Sequence, residues 1–167
     1  KEIKVIHPWT DLNIFKPGKK ENSLLIPSVP YKVKDFKDRG IDKIIETAKN
    51  VKGSFIFTNL VDFDVYYGHR NDPEGLYNAL KDFDTRLPEI VNCLDETDRL
   101  ILTADHGNDP TDISTDHTRE YVPLLYYRKN ISGKYLGIRK TFSDVAQTVA
   151  HYYKINNDLR GTSFLNE

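Results

Sequence analysis

Methionine is absent from this 167-residue chain, and cysteine occurs once, at Cys93. A lone cysteine excludes an internal disulfide. Its surroundings, Glu89-Ile90-Val91-Asn92-Cys93-Leu94, read as a helix face, which predicts a buried structural thiol rather than a nucleophile. The missing methionine predicts a piece of a longer protein. No apolar run approaches the roughly 18 residues that a membrane-spanning helix needs. Lys1-Glu2-Ile3-Lys4 leads into no apolar segment of the kind a secretory signal requires, so a cytoplasmic protein is expected. An excess of one charge is lacking too: 24 Lys and Arg face 25 Asp and Glu. Neither nucleic acid nor an anionic membrane is therefore expected as a partner.

What is present is the material of a packed domain. Hydrophobic residues make up 38% of the chain, a share typical of globular proteins and far from that of disordered ones, and the length suffices for one core. Ile3 to Ile6 alternates as a short strand would, Lys16 to Lys20 reads as a turn or exposed loop, and Leu24-Leu25-Ile26-Pro27 reads as a second short strand. Ile41, Ile44, Ile45 and Ala48 recur at helical spacing, predicting a helix from Gly40 to Asn50. Ser54 to Leu60 is a β-type apolar run, followed by a polar loop from Asp62 to Asp72. Asp72-Pro73-Glu74 is a helix start, with an acidic cap and proline in the first turn. Leu76, Ala79, Leu80, Phe83, Leu87, Ile90, Val91 and Leu94 mark one face of that helix, and Pro88 is expected to kink or break it. Arg99 to Thr103 and Val122 to Tyr127 read as further strands. Phe142, Val145, Ala146, Val149 and Tyr153 mark a last helix. Strands alternating with helices predict an α/β layered sheet, with functional groups at the carboxyl ends of its strands.

The two densest polar clusters follow Leu60 and Thr103. Three of the five histidines lie in the loops that follow, each with an aspartate nearby. Asp64, His69, Asp105, His106 and His117 are the candidate metal ligands. Neutral imidazole and carboxylate, with no cysteine, suit a catalytic site for a harder divalent ion better than a structural zinc site. Asp105 and His106 would point to opposite faces of a regular strand, and a bend at the strand exit would let both reach one ion. A single Asp–His pair in a loop is more often merely solvated or hydrogen-bonded; two such clusters at neighbouring strand ends strengthen the metal reading. Asp62 and Asp116 are either outer partners of the ligands or exposed. Asp109 and Asp112 read as turn residues, and Gly68 and Gly107 as glycines serving backbone turns. Arg70 and Arg119 are candidate phosphate contacts, since guanidinium matches phosphate geometry. His7 and His151 fall outside the clusters, and His151 reads as a helix-surface or packing residue.

Long strings of this sequence resemble the phosphopentomutases of the alkaline phosphatase superfamily. They are Asn59-Leu60-Val61-Asp62-Phe63-Asp64 with Tyr67-Gly68-His69-Arg70, Leu102-Thr103-Ala104-Asp105-His106-Gly107-Asn108-Asp109-Pro110, and Ser114-Thr115-Asp116-His117-Thr118-Arg119-Glu120. Val122-Pro123-Leu124-Leu125 and Gly161-Thr162-Ser163-Phe164 also match, so the resemblance runs from about Ser54 to Leu165. It implies an alkaline phosphatase-like α/β/α layered sheet, incomplete here. Residues 1–167 would be the C-terminal portion of the metal-binding core domain, without the cap domain and the N-terminal nucleophile segment. It implies interconversion of (deoxy)ribose 1-phosphate and 5-phosphate through a phosphothreonine, with two Mn²⁺ ions and an activator of the glucose 1,6-bisphosphate type. Asp64, His69 and His117 would hold one ion and Asp105 and His106 the other, completed by an aspartate from the family's N-terminal part. The nucleophilic threonine comes from that part too, so this chain alone is expected to be inactive. The first fifty residues depart from the family: where it carries a Gly-Lys-Ile element, this chain has His7-Pro8-Trp9-Thr10-Asp11 followed by Ile14-Phe15, and the substrate-binding lysine is missing. The alternatives are another phosphomutase or phosphohydrolase of the same superfamily, or a non-catalytic metal-binding module.

Overall fold

The computed structural model describes residues 24–25, 36–51 and 53–166. The Ile3–Ile6 strand, the Lys16–Lys20 turn, His7 and the departure at Pro8 lie outside the described residues. The chain divides into two compact units, Lys1–Lys129 and Asn130–Glu167.

In the first unit, strand β1 (Leu24–Leu25) pairs in parallel with β2 (Phe55–Ile56). Helix α1 (Phe36–Asn50) lies between them in sequence. A parallel pair requires such a crossover, and the β-α-β order follows the expected α/β pattern. Among the described residues, the paired part of the Ser54–Leu60 run is Phe55–Ile56. Helix α2 (Pro73–Cys93) begins as its sequence dictates. The Asp72 carboxylate accepts a hydrogen bond from the Gly75 amide at 2.8 Å, with Pro73 in the first turn. Pro88 does not break it. The helix continues to Cys93 with Pro88 on its exposed side, where a carbonyl deprived of its amide partner can be solvated. Leu80 departs from the expected apolar face and is exposed, whereas Ile90 is buried. Helices α1 and α2 pack together. Ile41 is buried, and the Arg86 guanidinium ties the two helices by bonding Asp42 at 2.6 Å and Glu89 at 2.9 Å. Cys93 is half-buried rather than buried, and its thiol donates to the Glu89 carbonyl at 3.1 Å.

Strand β3 (Leu100–Thr103) pairs antiparallel with β4 (Leu124–Tyr127), with Leu102 opposite Leu125 and Thr103 opposite Leu124. Pairing begins after Pro123, which has no amide hydrogen to offer a ladder. Among the described residues, β2 and β3 belong to separate two-stranded sheets. The two histidine-bearing segments therefore meet through their loops, not along one sheet edge. The mixture of helices, a parallel pair and a small antiparallel sheet is an α/β fold, consistent with an incomplete alkaline phosphatase-like core.

The second unit is built on helix α3 (Ser143–Tyr152). Phe164 is fully buried and Ala150 nearly so. The buried Asp144 carboxylate accepts from Arg139 Nε and from the Thr162 amide, both at 2.8 Å. Thr148 Oγ1 accepts from the Phe164 amide at 3.0 Å. The Gly161-Thr162-Ser163-Phe164 string thus fastens the chain's end onto α3. A side chain at Gly161 would collide with the Ser143 carbonyl oxygen. His151 is exposed, as expected of a helix-surface residue, and its Nδ1 pairs with Ser163 Oγ at 2.9 Å.

Candidate metal centre

The segment after β2 is not an open polar loop. It forms a π-helical turn over Phe63–Tyr67 and a 3₁₀ turn over Gly68–Arg70 before α2 begins. Phe63 anchors the first turn by an edge-to-face contact with Phe83 on α2, ring centroids 6.3 Å apart. Asp64 and His69 stand on these two turns, with His69 Nε2 3.3 Å from Asp64 Oδ2. The segment after β3 folds back on itself through a bridge between Gly107 and Thr118, where the Thr118 amide donates to the Gly107 carbonyl at 3.2 Å. That bridge sets His106 beside His117, their rings stacked 3.5 Å apart and 18° from parallel. Gly107 is required by space rather than by an unusual φ: an added Cβ would lie 2.6 Å from both the amide nitrogen and the carbonyl oxygen of Glu120.

The two segments converge. His117 Nε2 lies 3.2 Å from His69 Nε2 and 3.5 Å from Asp64 Oδ1. One donor atom each from Asp64, His106 and His117 falls within 4.8 Å of the others. Asp105 lies outside this group, its carboxylate largely exposed and 3.7 Å from His106 Nε2. Arg70 and Arg119 are both exposed, close in sequence to the cluster, and show no ion pair among the described residues. Asp109 and Asp112 make the turns expected of them: the Asp109 carboxylate caps the Thr111 amide and hydroxyl, and that of Asp112 caps the Ser114 amide. The bonds from Thr111 hold the Asp109 carboxyl below its usual range, while burial pushes that of Asp62 up.

Two backbone carbonyls decide which imidazole nitrogens are offered. His69 Nδ1 faces the Thr115 carbonyl at 2.5 Å, and His106 Nδ1 faces the Gly107 carbonyl at 3.2 Å. A carbonyl only accepts, so in each ring Nδ1 carries the hydrogen and Nε2 presents its lone pair. Asp64 Oδ1 is buried without a hydrogen-bond donor among the described residues. An ionised oxygen in that state is costly, and two imidazole nitrogens 3.2 Å apart beside it form the donor set that a divalent cation satisfies. The residues present fit a metal. The Thr115 carbonyl has no residue-type signature and was not foreseeable from the sequence. Asn71 was more legible, because asparagine directly after a short turn is a favoured left-handed residue.

A carboxylate and several imidazoles converging beside short strands form a donor set that could hold a divalent metal ion, as catalytic metalloproteins do. The chain belongs to the metalloenzyme superfamily, whose model matches residues 3–157. It is 56% identical over 129 residues to a phosphopentomutase of Dictyoglomus turgidum, across 77% of this chain and 33% of that protein. With a phosphopentomutase of Dictyoglomus thermophilum it shares 56% over 132 residues, covering 78% and 34% of the two chains. With one of Acetivibrio thermocellus it shares 57% over 127 residues, covering 75% and 33%. The chain spans about a third of the length of the curated relatives it matches. These matches agree with the resemblance carried by the motifs after Ser54.

Proposed function

We propose that this chain is the metal-binding part of a phosphopentomutase acting on (deoxy)ribose 1-phosphate and 5-phosphate. The single observation that carries this reading is identity above half with proteins named phosphopentomutase, over a stretch of the length that holds both histidine loops. The orphaned Asp64 oxygen and the converging His69 and His117 nitrogens support it independently. Asp64, His69 and His117 would hold one Mn²⁺, and His106 with Asp105 would contribute to a second. Such cations neutralise charge on the entering and leaving oxygens of a phosphoryl transfer. The chain's own residues do the rest of the positioning. The carbonyls of Thr115 and Gly107 fix the rings of His69 and His106, and the exposed guanidiniums of Arg70 and Arg119 would draw in the sugar phosphate. The phosphothreonine, the aspartate completing the second ion and the contacts for a glucose 1,6-bisphosphate-type activator would come from residues outside these 167. A cytoplasmic location belongs to the same proposal. Among the described residues no helix is long and apolar enough to cross a membrane.

The test is a chimera in which residues 54–165 replace the matching third of the Dictyoglomus turgidum enzyme. The expected result is formation of ribose 5-phosphate from ribose 1-phosphate in Mn²⁺ with the activator, and no turnover by the present chain alone. A chimera that folds and binds Mn²⁺ yet fails to turn over contradicts the pentomutase reading. Turnover by the chain alone contradicts the placement of the phosphoryl carrier elsewhere.

A further inference from the structure

We propose that Asn71 is a positioning residue of the metal centre: its side-chain amide clamps the 112–116 turn so that the Thr115 carbonyl meets His69 and selects the nitrogen His69 offers. This inference rests on the metal reading above, but its decisive readout does not.

Asn71 closes the 3₁₀ turn that carries His69. Its backbone is left-handed, with φ 50° and ψ 46°, and its amide donates to the Gly68 carbonyl at 3.1 Å. From that position Nδ2 reaches across 41 residues of sequence and donates to the Asp112 carbonyl at 3.0 Å. Beyond Asp112 the chain is laddered by short side-chain bonds. The Asp112 carboxylate accepts from the Ser114 amide at 2.8 Å, and the Ser114 hydroxyl accepts from the Asp116 amide at 3.0 Å. Between them sits Thr115, whose carbonyl takes the His69 Nδ1 hydrogen. Residues 111–116 are all exposed, so little packing holds this turn short of His117, whose ring stacks on His106. Residues 112–116 are joined to the His69 turn by two hydrogen bonds, one from Asn71 and one from His69 itself, with the 3.2 Å contact of the His69 and His117 Nε2 atoms just beyond them. Losing the first leaves the second to compete with water.

The residue type fits this double duty. A left-handed position tolerates glycine, asparagine and aspartate. Of these only asparagine also carries an amide donor to give a carbonyl. If Asn71 served the turn alone, glycine would serve as well. Ligand-orienting groups of this kind are worth about tenfold to a hundredfold in metal affinity.

The test compares the wild-type chain with Asn71→Gly and Asn71→Asp, both compatible with the backbone and both lacking the donor. Imidazole ¹⁵N shifts of the metal-free proteins, at a pH where the rings are neutral, report the tautomer of each histidine. Mn²⁺ titration calorimetry reports affinity. The expected result is a single Nδ1–H form of His69 in the wild type and a mixture in both variants, with His106 unchanged as internal control. Mn²⁺ affinity should fall about tenfold or more in Asn71→Gly at an unaltered melting temperature. Wild-type tautomers in both variants overturn the proposal. A wild-type chain that binds no Mn²⁺ sinks the proposed function, while the tautomer comparison still decides the role of Asn71.

Discussion

Replacing Gly107 by alanine should damage stability and metal binding together. An added Cβ would sit 2.6 Å from the Glu120 nitrogen, 2.6 Å from the Glu120 oxygen and 2.8 Å from the Thr118 oxygen. All three are backbone atoms and cannot rotate aside, so one of the two strands of the loop must move. Overpacking of this kind costs about 1–3 kcal/mol. In a chain of this size each kcal/mol lowers the melting temperature by about 2–4 °C, so a fall on the order of 5 °C is expected. The displaced strand carries Thr118, bonded to the Gly107 carbonyl at 3.2 Å, and next to it His117, stacked on His106 at 3.5 Å. Mn²⁺ affinity should therefore fall about tenfold or more. Calorimetric melting with and without Mn²⁺, together with Mn²⁺ titration, measures both effects. Gly133→Ala is the control, since nothing lies within 4 Å of the added carbon, and it should melt as the wild type does. Gly107→Ala melting and binding like Gly133→Ala would refute the close-approach argument.

Asp72→Ala removes the cap from α2 and should cost about 0.5–2 kcal/mol, read as a lower midpoint in urea with an unchanged slope. Asp144→Ala leaves the Arg139 guanidinium and the Thr162 amide without their buried acceptor. Loss of one partner of such a pair costs about 3–5 kcal/mol, and hydrogen exchange should show it first at Thr162 and Phe164. The Arg86 guanidinium holds the Glu89 carboxyl below its usual range by hydrogen bonding. Glu89 therefore contributes stability that is present above the ordinary glutamate range and lost as pH falls through its lower folded value. Arg86→Ala should remove that contribution, so that the gap in melting temperature from wild type narrows as pH is lowered.

Local chemistry was legible in the sequence where the deciding contacts are themselves local. Asp72-Pro73 declares a helix start because cap and proline act within one turn, and Ile41 to Ala48 declares a helix by period alone. Elements that depend on a partner were less legible. The Ser54–Leu60 run reads as seven residues of strand, but among the described residues only Phe55–Ile56 are strand. Pro88 reads as a break, but an exposed position lets the helix pass. Leu80 fits the apolar period, but about half of it is left exposed among the described residues. In the candidate site, residue types and motif spacing singled out Asp64, His69, His106 and His117, which the structure brings together, and Asp105, which stays at the cluster's exposed side. Gly68 and Gly107 were read as turn glycines, whereas both make room for close neighbours: the Asn108 side chain at Gly68 and the Glu120 backbone at Gly107. Backbone carbonyls that fix the histidine tautomers carry no sequence signal, because any residue could supply them.

The most direct measurement is anomalous scattering from crystals of this chain grown with Mn²⁺. The account predicts an ion bonded to Asp64 Oδ1 and to the Nε2 atoms of His69 and His117, in place of the orphaned oxygen and the close nitrogen pair. Well-ordered side chains at those three positions with no ion among them would contradict it.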